Sequence, residues 1–491
     1  MTSPSFSSDA DSAVGPTPAA TPAAPAAPPP GCPAHGLGPG GLRRLFGHEA
    51  ETDPMGLYER LRAEHGPVAP VLVNGDIPAW IVLGHRENME LARTPSRFSR
   101  DSRHWREMQE GKVPPDHPLA PLTTWQPIAN LTEGEEHERY RKAITESMGR
   151  FDRRGIRRHV TRFANQLVDE FSADGRAELV SQFSEHLPML AMTQLLGMPD
   201  EYGPRLVSAA RDMLKGTETA VASNEYVVMT LRQTVANKRE KPAQDFTTWL
   251  ITHHSELSDE ELEQHLRLVL IAAFETTANL ITNTLRMVLT DHRFRANLAG
   301  GHMTLPDALE QVLWDEPPFI TLLGRWATGD TELGGKPIRK GDLIISGLAA
   351  GNVDPEIRPD LSVPVHGNRS HLAFSGGPHE CPGQDMARAI ADTGIDALLA
   401  RLPDLRLAVP EGELRWVSSI MSRHLVALPV EFSPRRAIAQ GGTTGQTELP
   451  LTVATAGAPL PDAAVVAVAG VSEPQLRRSW WVRLLRSLRR H

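Results

Sequence analysis

"HLAFSGGPHECPGQDMAR", His371 to Arg388, sets one of the chain's two cysteines between a glycine-rich loop and the start of a helix. Ser375, Gly376, Gly377 and Pro378 precede Cys381, and Pro382 and Gly383 follow it before helix begins near Gln384. At such a junction free backbone N–H groups and the helix dipole favour a thiolate. The glycines let backbone approach a bulky planar partner. A lone thiolate suits a single axial bond to haem iron. The bland alternative is a buried structural cysteine.

The rest of the composition narrows the setting. The other cysteine, Cys32, sits in "PPPGCPAHG", too loose a context for a disulfide, and no C-x-x-C exists to build a thiolate zinc site. A reducing, cytoplasmic setting is the simplest expectation. No signal peptide is evident, and no 18-residue apolar run is found, so no membrane span is expected. Charged residues make 23% of the 491 and the net charge is -9, which argues against a general nucleic-acid binder.

Four stretches follow from composition and periodicity. Residues 1–44, with "AVGPTPAATPAAPAAPPPG", have little to bury and read as a disordered leader. Residues 45–434 form the ordered domain, mostly α with a minor β portion. "DPMGLYERLRAEHG" is helical, and "APVLVNGDIPAWIVLG" reads as a hairpin turning at Asn74-Gly75-Asp76. Helical patterns then dominate, the longest being "LSDEELEQHLRLVLIAAFETTANLITNTLRMVLTD". A helix of that length must cross the domain. Its middle is apolar apart from Glu275, Thr276, Thr277 and Asn279, and a buried acid there is costly unless something uses it. Short strands and turns occupy 320–375, helix returns at Gln384, and "MSRHLVALPVEF" reads as one closing strand. Residues 435–471 are a flexible linker, and 472–491 an amphipathic basic helix.

The loop "HLAFSGGPHECPG" resembles the haem-binding loop of the cytochrome P450 family, F-x-x-G-x-x-x-C-x-G, through Phe374, Gly377, Cys381 and Gly383. "EEHERYR" is similar to the family's H-x-x-x-R segment through His137 and Arg141. "AAFETT" is similar to its A-G-x-E/D-T stretch, and "RWATGD" supplies a basic residue, Arg325. The resemblance spans about 45–434 and implies the triangular helical fold with a small β region. It implies haem b as cofactor, with Cys381 as the iron ligand and Phe374 packed on the haem face beside it. His137, Arg141, Arg325 and His379 would hold the propionates, and Gly383 completes the loop. Glu275 and Thr276 would deliver protons. His371 reads as structural.

Two departures stand out. Ala273 and Phe274 occupy places where the family usually has glycine and often histidine; Phe274 is expected to crowd a polar water route. At "ALEQVLWDEPP" the family's E-x-x-R is replaced, with Gln311 at the glutamate, Trp314 at the arginine and His366 at a downstream arginine. The chain thus resembles a small bacterial subgroup with "EQxLW" in this place. A neutral Gln/Trp/His staple avoids the cost of an unpaired buried charge. A local shift that pairs Glu310 with Arg369 is the alternative.

The resemblance implies a monooxygenase that takes electrons from ferredoxin and its reductase and acts on a mid-sized apolar molecule. The alternatives are a non-catalytic haem-binding sensor or assembly partner, and a peroxide-driven enzyme. Phe319, Ile320, Leu322 and Leu323 are expected to form an apolar substrate wall, and residues 104–127 a mobile entrance. In "QLRRSWWVRLLRSLRR", Trp481, Leu484, Leu485 and Leu488 share one helical face, with most arginines flanking or opposing it. That helix suits an anionic membrane surface, an acidic protein partner, or folding back on its own domain.

Overall fold

The computed structural model describes residues 38–437, apart from 115–116, 216–217, 292–293, 295–299, 301–302 and 366. The leader before residue 38, Cys32, the linker after 437, the C-terminal basic helix and His366 therefore lie outside the described residues.

In chain order the elements begin with β1 (Arg43–Arg44), α1 (His48–Thr52), α2 (Pro54–His65), β2 (Val68–Val73), β3 (Ile77–Val82), α3 (His85–Arg93) and β4 (Phe98–Ser99). Next come α4 (Arg106–Gln109), α5 (Ala120–Thr123), α6 (Gly134–Met148), α7 (Arg153–Phe171), β5 (Arg176–Glu178), α8 (His186–Leu195), α9 (Gly203–Lys215), α10 (Ala220–Glu240) and α11 (Phe246–Ile251). The central helix α12 (Asp259–Thr290) is followed by α13 (Leu305–Asp315), β6 (Leu322–Ala327), β7 (Thr331–Leu333), β8 (Lys336–Ile338), β9 (Leu343–Ser346) and α14 (Leu348–Asn352). The fold closes with α15 (Gln384–Arg401), β10 (Arg406–Leu407), β11 (Trp416–Ser418), β12 (Arg423–Leu425) and β13 (Pro429–Glu431).

Continuous apolar runs, that of β2 buried on both faces, make β2 and β3 a hairpin that turns where Asn74-Gly75-Asp76 demands it, with Gly75 at φ 80° and Asp76 at φ 56°. The hairpin anchors a six-stranded sheet of order β1-β2-β3-β9-β6-β4. β1 already lies within 1–44, so the ordered chain starts earlier than its composition suggests. "MSRHLVALPVEF" is two strands rather than one: β12 pairs with β11, while β13 lies between β10 and β5. The chain bends at 426–428 to change sheets.

Helix α12 starts on a capping box between Ser258 and Glu261, with Asp259, Glu260 and Glu261 in its first turn. Its 32 residues span about 48 Å. An 18-residue window of it has mean hydropathy 1.3, enough by length and composition for a membrane span, contrary to the sequence expectation. Yet 67% of that window is buried inside the fold, in the core formed with α7, α8 and α15. Phe274 is one of those core residues. Its ring points into the helical core and does not crowd the open side of the helix.

Candidate functional site

The cysteine loop is pinned from both sides. Gly377 adopts φ +66°, and a Cβ there would meet the Ala92 carbonyl oxygen of α3 at 2.3 Å. The Cys381 N–H donates to the Phe374 carbonyl at 2.9 Å. Ser375 takes φ 60°, a left-handed backbone that favours glycine. Burial pushes the Cys381 thiol up; the Gly383 N–H and the Arg141 charge pull against it without prevailing. The loop donors alone therefore do not make the thiolate expected from sequence. Iron bound there would favour the thiolate.

Behind the loop, α13 and α15 build a corner on Glu310. Arg388 Nε donates to Glu310 Oε1 at 2.6 Å, His371 Nε2 lies 3.0 Å from Oε2, and Arg369 Nε lies 3.5 Å from Oε1. The alternative pairing, Glu310 with Arg369, is thus present, joined by Arg388, which sequence reasoning missed. Arg388 stacks over the Phe374 ring at 4.6 Å, so this network also orients the aromatic side chain before the cysteine. Gln311 and Trp314 form a separate neutral staple. Gln311 Oε1 accepts from the Val365 N–H at 3.0 Å, and Trp314 Nε1 donates to the Asn368 carbonyl at 2.7 Å. Two side chains of one helix thereby hold a loop by its backbone, where paired charges were expected from the family pattern.

A second corner is strongly basic. Arg325 and Arg100 are both buried. Burial pushes Arg100 down to about 9, and the neighbouring Arg325 charge pushes the same way. Burial takes Arg325 to about 10, opposed only by Glu133. Arg325 Nη1 donates to the Phe98 carbonyl at 2.9 Å, whereas its buried Nη2 has no hydrogen-bond partner among the described residues. His379 Nε2 lies 3.1 Å from Glu133 Oε2, and its ring packs against His137 at 4.0 Å. The structure thus brings together His137, Arg325 and His379, and adds Arg100 and Glu133. Arg141 is half-buried nearer Cys381 and Glu380.

The fit to haem follows from these features. A half-buried thiol with no second cysteine among the described residues, two glycines seated tightly on α3, and two buried arginines facing one carboxylate suit a planar iron ligand with acidic arms. Cys381 would hold the iron, and Arg100, Arg325, His137 and His379 the carboxylates.

On the opposite side lies the open face of α12. Thr276 Oγ1 donates to the Ala272 carbonyl at 2.7 Å, which leaves its oxygen free to accept. Burial raises the Glu275 carboxyl, partly offset by a hydrogen bond with Ser422. Of the expected apolar wall, Phe319 and Leu322 remain accessible, but Ile320 and Leu323 are buried in the core beneath the sheet. The entrance segment is tethered: Trp105 is wholly buried and packs on Trp326 at 6.1 Å.

His265 is another residue that sequence reasoning missed. It is fully buried on α12; its Nδ1 donates to the Glu261 carbonyl and its Nε2 accepts the Ala129 N–H at 3.1 Å. The Ala129 carbonyl in turn faces His137 Nδ1 at 2.8 Å. One peptide therefore joins the central helix to the basic corner.

Comparison with known proteins agrees with this geometry. The chain is 30% identical over 401 residues to 2-hydroxy-5-methyl-1-naphthoate 7-hydroxylase of Streptomyces carzinostaticus, covering 79% of this chain and 97% of that protein. It is 30% identical over 415 residues to cytochrome P450 monooxygenase PikC of Streptomyces venezuelae, covering 82% and 95%. Among solved structures, CYP154C4 from Streptomyces sp. ATCC 11861 superposes with TM-score 0.72 at 27% identity, covering 79% and 98%. A myxobacterial P450, CYP267B1, in complex with myristic acid gives TM-score 0.70 at 28% identity, covering 79% and 98%. No family model matches the chain.

Proposed function

Because the chain belongs to the cytochrome P450 family, we propose that it is a haem-thiolate monooxygenase. It would insert one oxygen atom from dioxygen into a mid-sized apolar substrate, with electrons from a ferredoxin and its reductase. The observation that carries this reading is the pairing of a glycine-pinned loop bearing a half-buried cysteine with a basic corner whose arginines lack enough carboxylate. The hydroxylase and monooxygenase relatives support oxygen insertion as the reaction class.

Haem, when bound through a thiolate, supplies dioxygen activation and O–O cleavage. The chain's own residues do the rest. Phe374, held by Arg388, covers the cysteine side. Arg100, Arg325, His137 and His379 fix the acidic arms and so the plane. Thr276 offers an acceptor oxygen to an ordered water. Glu275, whose carboxyl is raised by burial, would hold the proton to be passed toward that water. Apolar residues of α12 exclude bulk solvent.

The decisive experiment is optical. Reduced protein under carbon monoxide should show the red-shifted Soret band of thiolate ligation, and Cys381→Ala should abolish it. A protein that binds haem without that band, or keeps it after Cys381→Ala, overturns the reading.

A further inference from the structure

Helix α12 leaves two neighbouring i,i+4 rows uncovered. One runs through Glu263, Arg267, Ile271 and Glu275, and the other through Gln264, Leu268, Ala272 and Thr276. Every member is half-buried or, at Ala272, exposed, although the helix crosses the domain interior. The strip begins at Glu263, tied to the exposed Arg232, and ends at Thr276. It runs along one side of the helix from that surface ion pair to Glu275 and Thr276.

Most buried or half-buried arginines in the described fold have a carboxylate: Arg286 has Glu316, Arg358 has Asp315, Arg388 has Glu310 and Arg401 has Asp169. Exceptions include Arg423, which lies over the Trp416 ring, and those of the haem corner, whose carboxylates haem would bring. Arg267, half-buried on the strip, likewise has no carboxylate partner. Its Nη1 makes a long contact with Asn224 Oδ1 of α10 at 3.4 Å. The nearest acid, Glu263, is already taken by Arg232. Burial lowers the Arg267 pKa, and only Glu263 opposes this. No carboxylate lies within ion-pair distance of Arg267 among the described residues. A half-buried guanidinium without a counter-charge, still accessible at the helix face, is placed to pair with an incoming anion.

We propose that Arg267 anchors the carboxylate of an otherwise apolar substrate, deepening the monooxygenase reading on which this rests. The planar fork of an arginine matches a carboxylate in two parallel hydrogen bonds. Arg267 and Thr276 are nine residues apart, so their Cα atoms are separated by about 13 Å along the helix. Allowing for the reach of the arginine, the carbon presented for oxidation lies roughly 8–12 Å from the carboxylate. An aliphatic monocarboxylate of about ten carbons spans this ruler. Leu268, Ile271 and Ala272 supply the apolar wall between the two ends.

The test uses the haem-loaded full chain and two probes, decanoate and methyl decanoate, titrated by Soret shift and by calorimetry. Decanoate should bind at least about 10-fold tighter than its ester. Arg267→Gln should weaken decanoate about 30-fold while leaving the ester unchanged, the loss expected when one partner of a desolvated charge pair is removed. Unchanged ester binding also shows that the variant is folded. Arg267→Lys should recover part of the preference. Equal binding of acid and ester by the parent, unaltered decanoate binding by Arg267→Gln, or no decanoate binding at millimolar concentration overturns the assignment. If the carbon monoxide band is intact in the parent, such a result rejects the anchor alone. If the band is missing, the monooxygenase reading itself has failed.

Discussion

The two corners flanking the cysteine loop solve opposite problems. At the staple corner Glu310, Gln311 and Trp314 leave no buried polar side-chain atom unpaired, and each tie is internal to the chain. At the basic corner Arg100 and Arg325 face one carboxylate, Glu133, and Arg325 Nη2 has no partner among the described residues. The first is self-sufficient, as a structural element should be. The second stores positive charge at a cost, as a ligand site should. The contrast separates residues that hold the loop in place from residues that wait for what the loop holds.

Breaking the staple should have the largest effect. Trp314 is buried, stacks on His85 at 6.2 Å and sits under Arg358 at 5.4 Å. Trp314→Ala should lower stability by roughly 3–5 kcal/mol, read by denaturant melts. Trp314→Arg should also destabilise, because it sets a second cation beside Arg358 and Gln311 carries no charge to neutralise it. Melts near the parent value for both would show that this corner is slack.

The next effect is pH-dependent and belongs to the basic side. Burial holds His265 down at about 4, against an ordinary value near 6.5, and protonating Nε2 would set it against the Ala129 N–H. Between these values the unfolded chain takes up a proton that the folded chain refuses. Stability should therefore fall as pH drops from about 6.5 to about 4, by up to about 3 kcal/mol, and then level off with respect to this group. His265→Asn should flatten that part of the profile. A parent profile already flat there would show that the His265 link is not closed.

Arg325→Met sharpens the contrast by sign. Without haem it should stabilise the protein by roughly 1–2 kcal/mol, since it removes an under-paired buried charge. Haem retention, measured by transfer to a scavenging apoprotein, should fall. Parallel losses in both measurements would make Arg325 an ordinary structural residue. The smallest effect is expected at the loop shared by the two corners. Ser375→Gly should raise stability by roughly 0.5–1 kcal/mol by relieving the left-handed strain, with the Soret band unchanged.

How much of this was legible beforehand depended on range. The cysteine loop, the hairpin at Asn74-Gly75-Asp76 and the long helix capped by Ser258 are set by neighbours in sequence, and they stand where the pattern placed them. Gln311 and Trp314 were readable because their helix offset is fixed, although their true partners are backbone atoms at Val365 and Asn368. Arg100 was not readable: its guanidinium meets the Leu323 carbonyl, 223 residues away, and no motif marks that distance. His265 could have been found, since it falls on the same buried side of α12 as Leu262 and Leu266 and lies one turn from Glu261. Phe274, Ile320 and Leu323 were misplaced because an apolar residue beside a site and one in the adjoining core look alike in sequence. Only packing separates them.

Strand β13 carries a further consequence for the order of synthesis. It lies between β10 and β5, and the Leu428 N–H reaches the Glu178 carboxylate across 250 residues. The β5 edge therefore stays open while most of the domain is being translated. Its closure is a late, long-range event that nascent helices cannot substitute for. Chains released before residue 429 should retain much helix yet expose an unpaired strand edge, the form in which a growing polypeptide is most prone to aggregate.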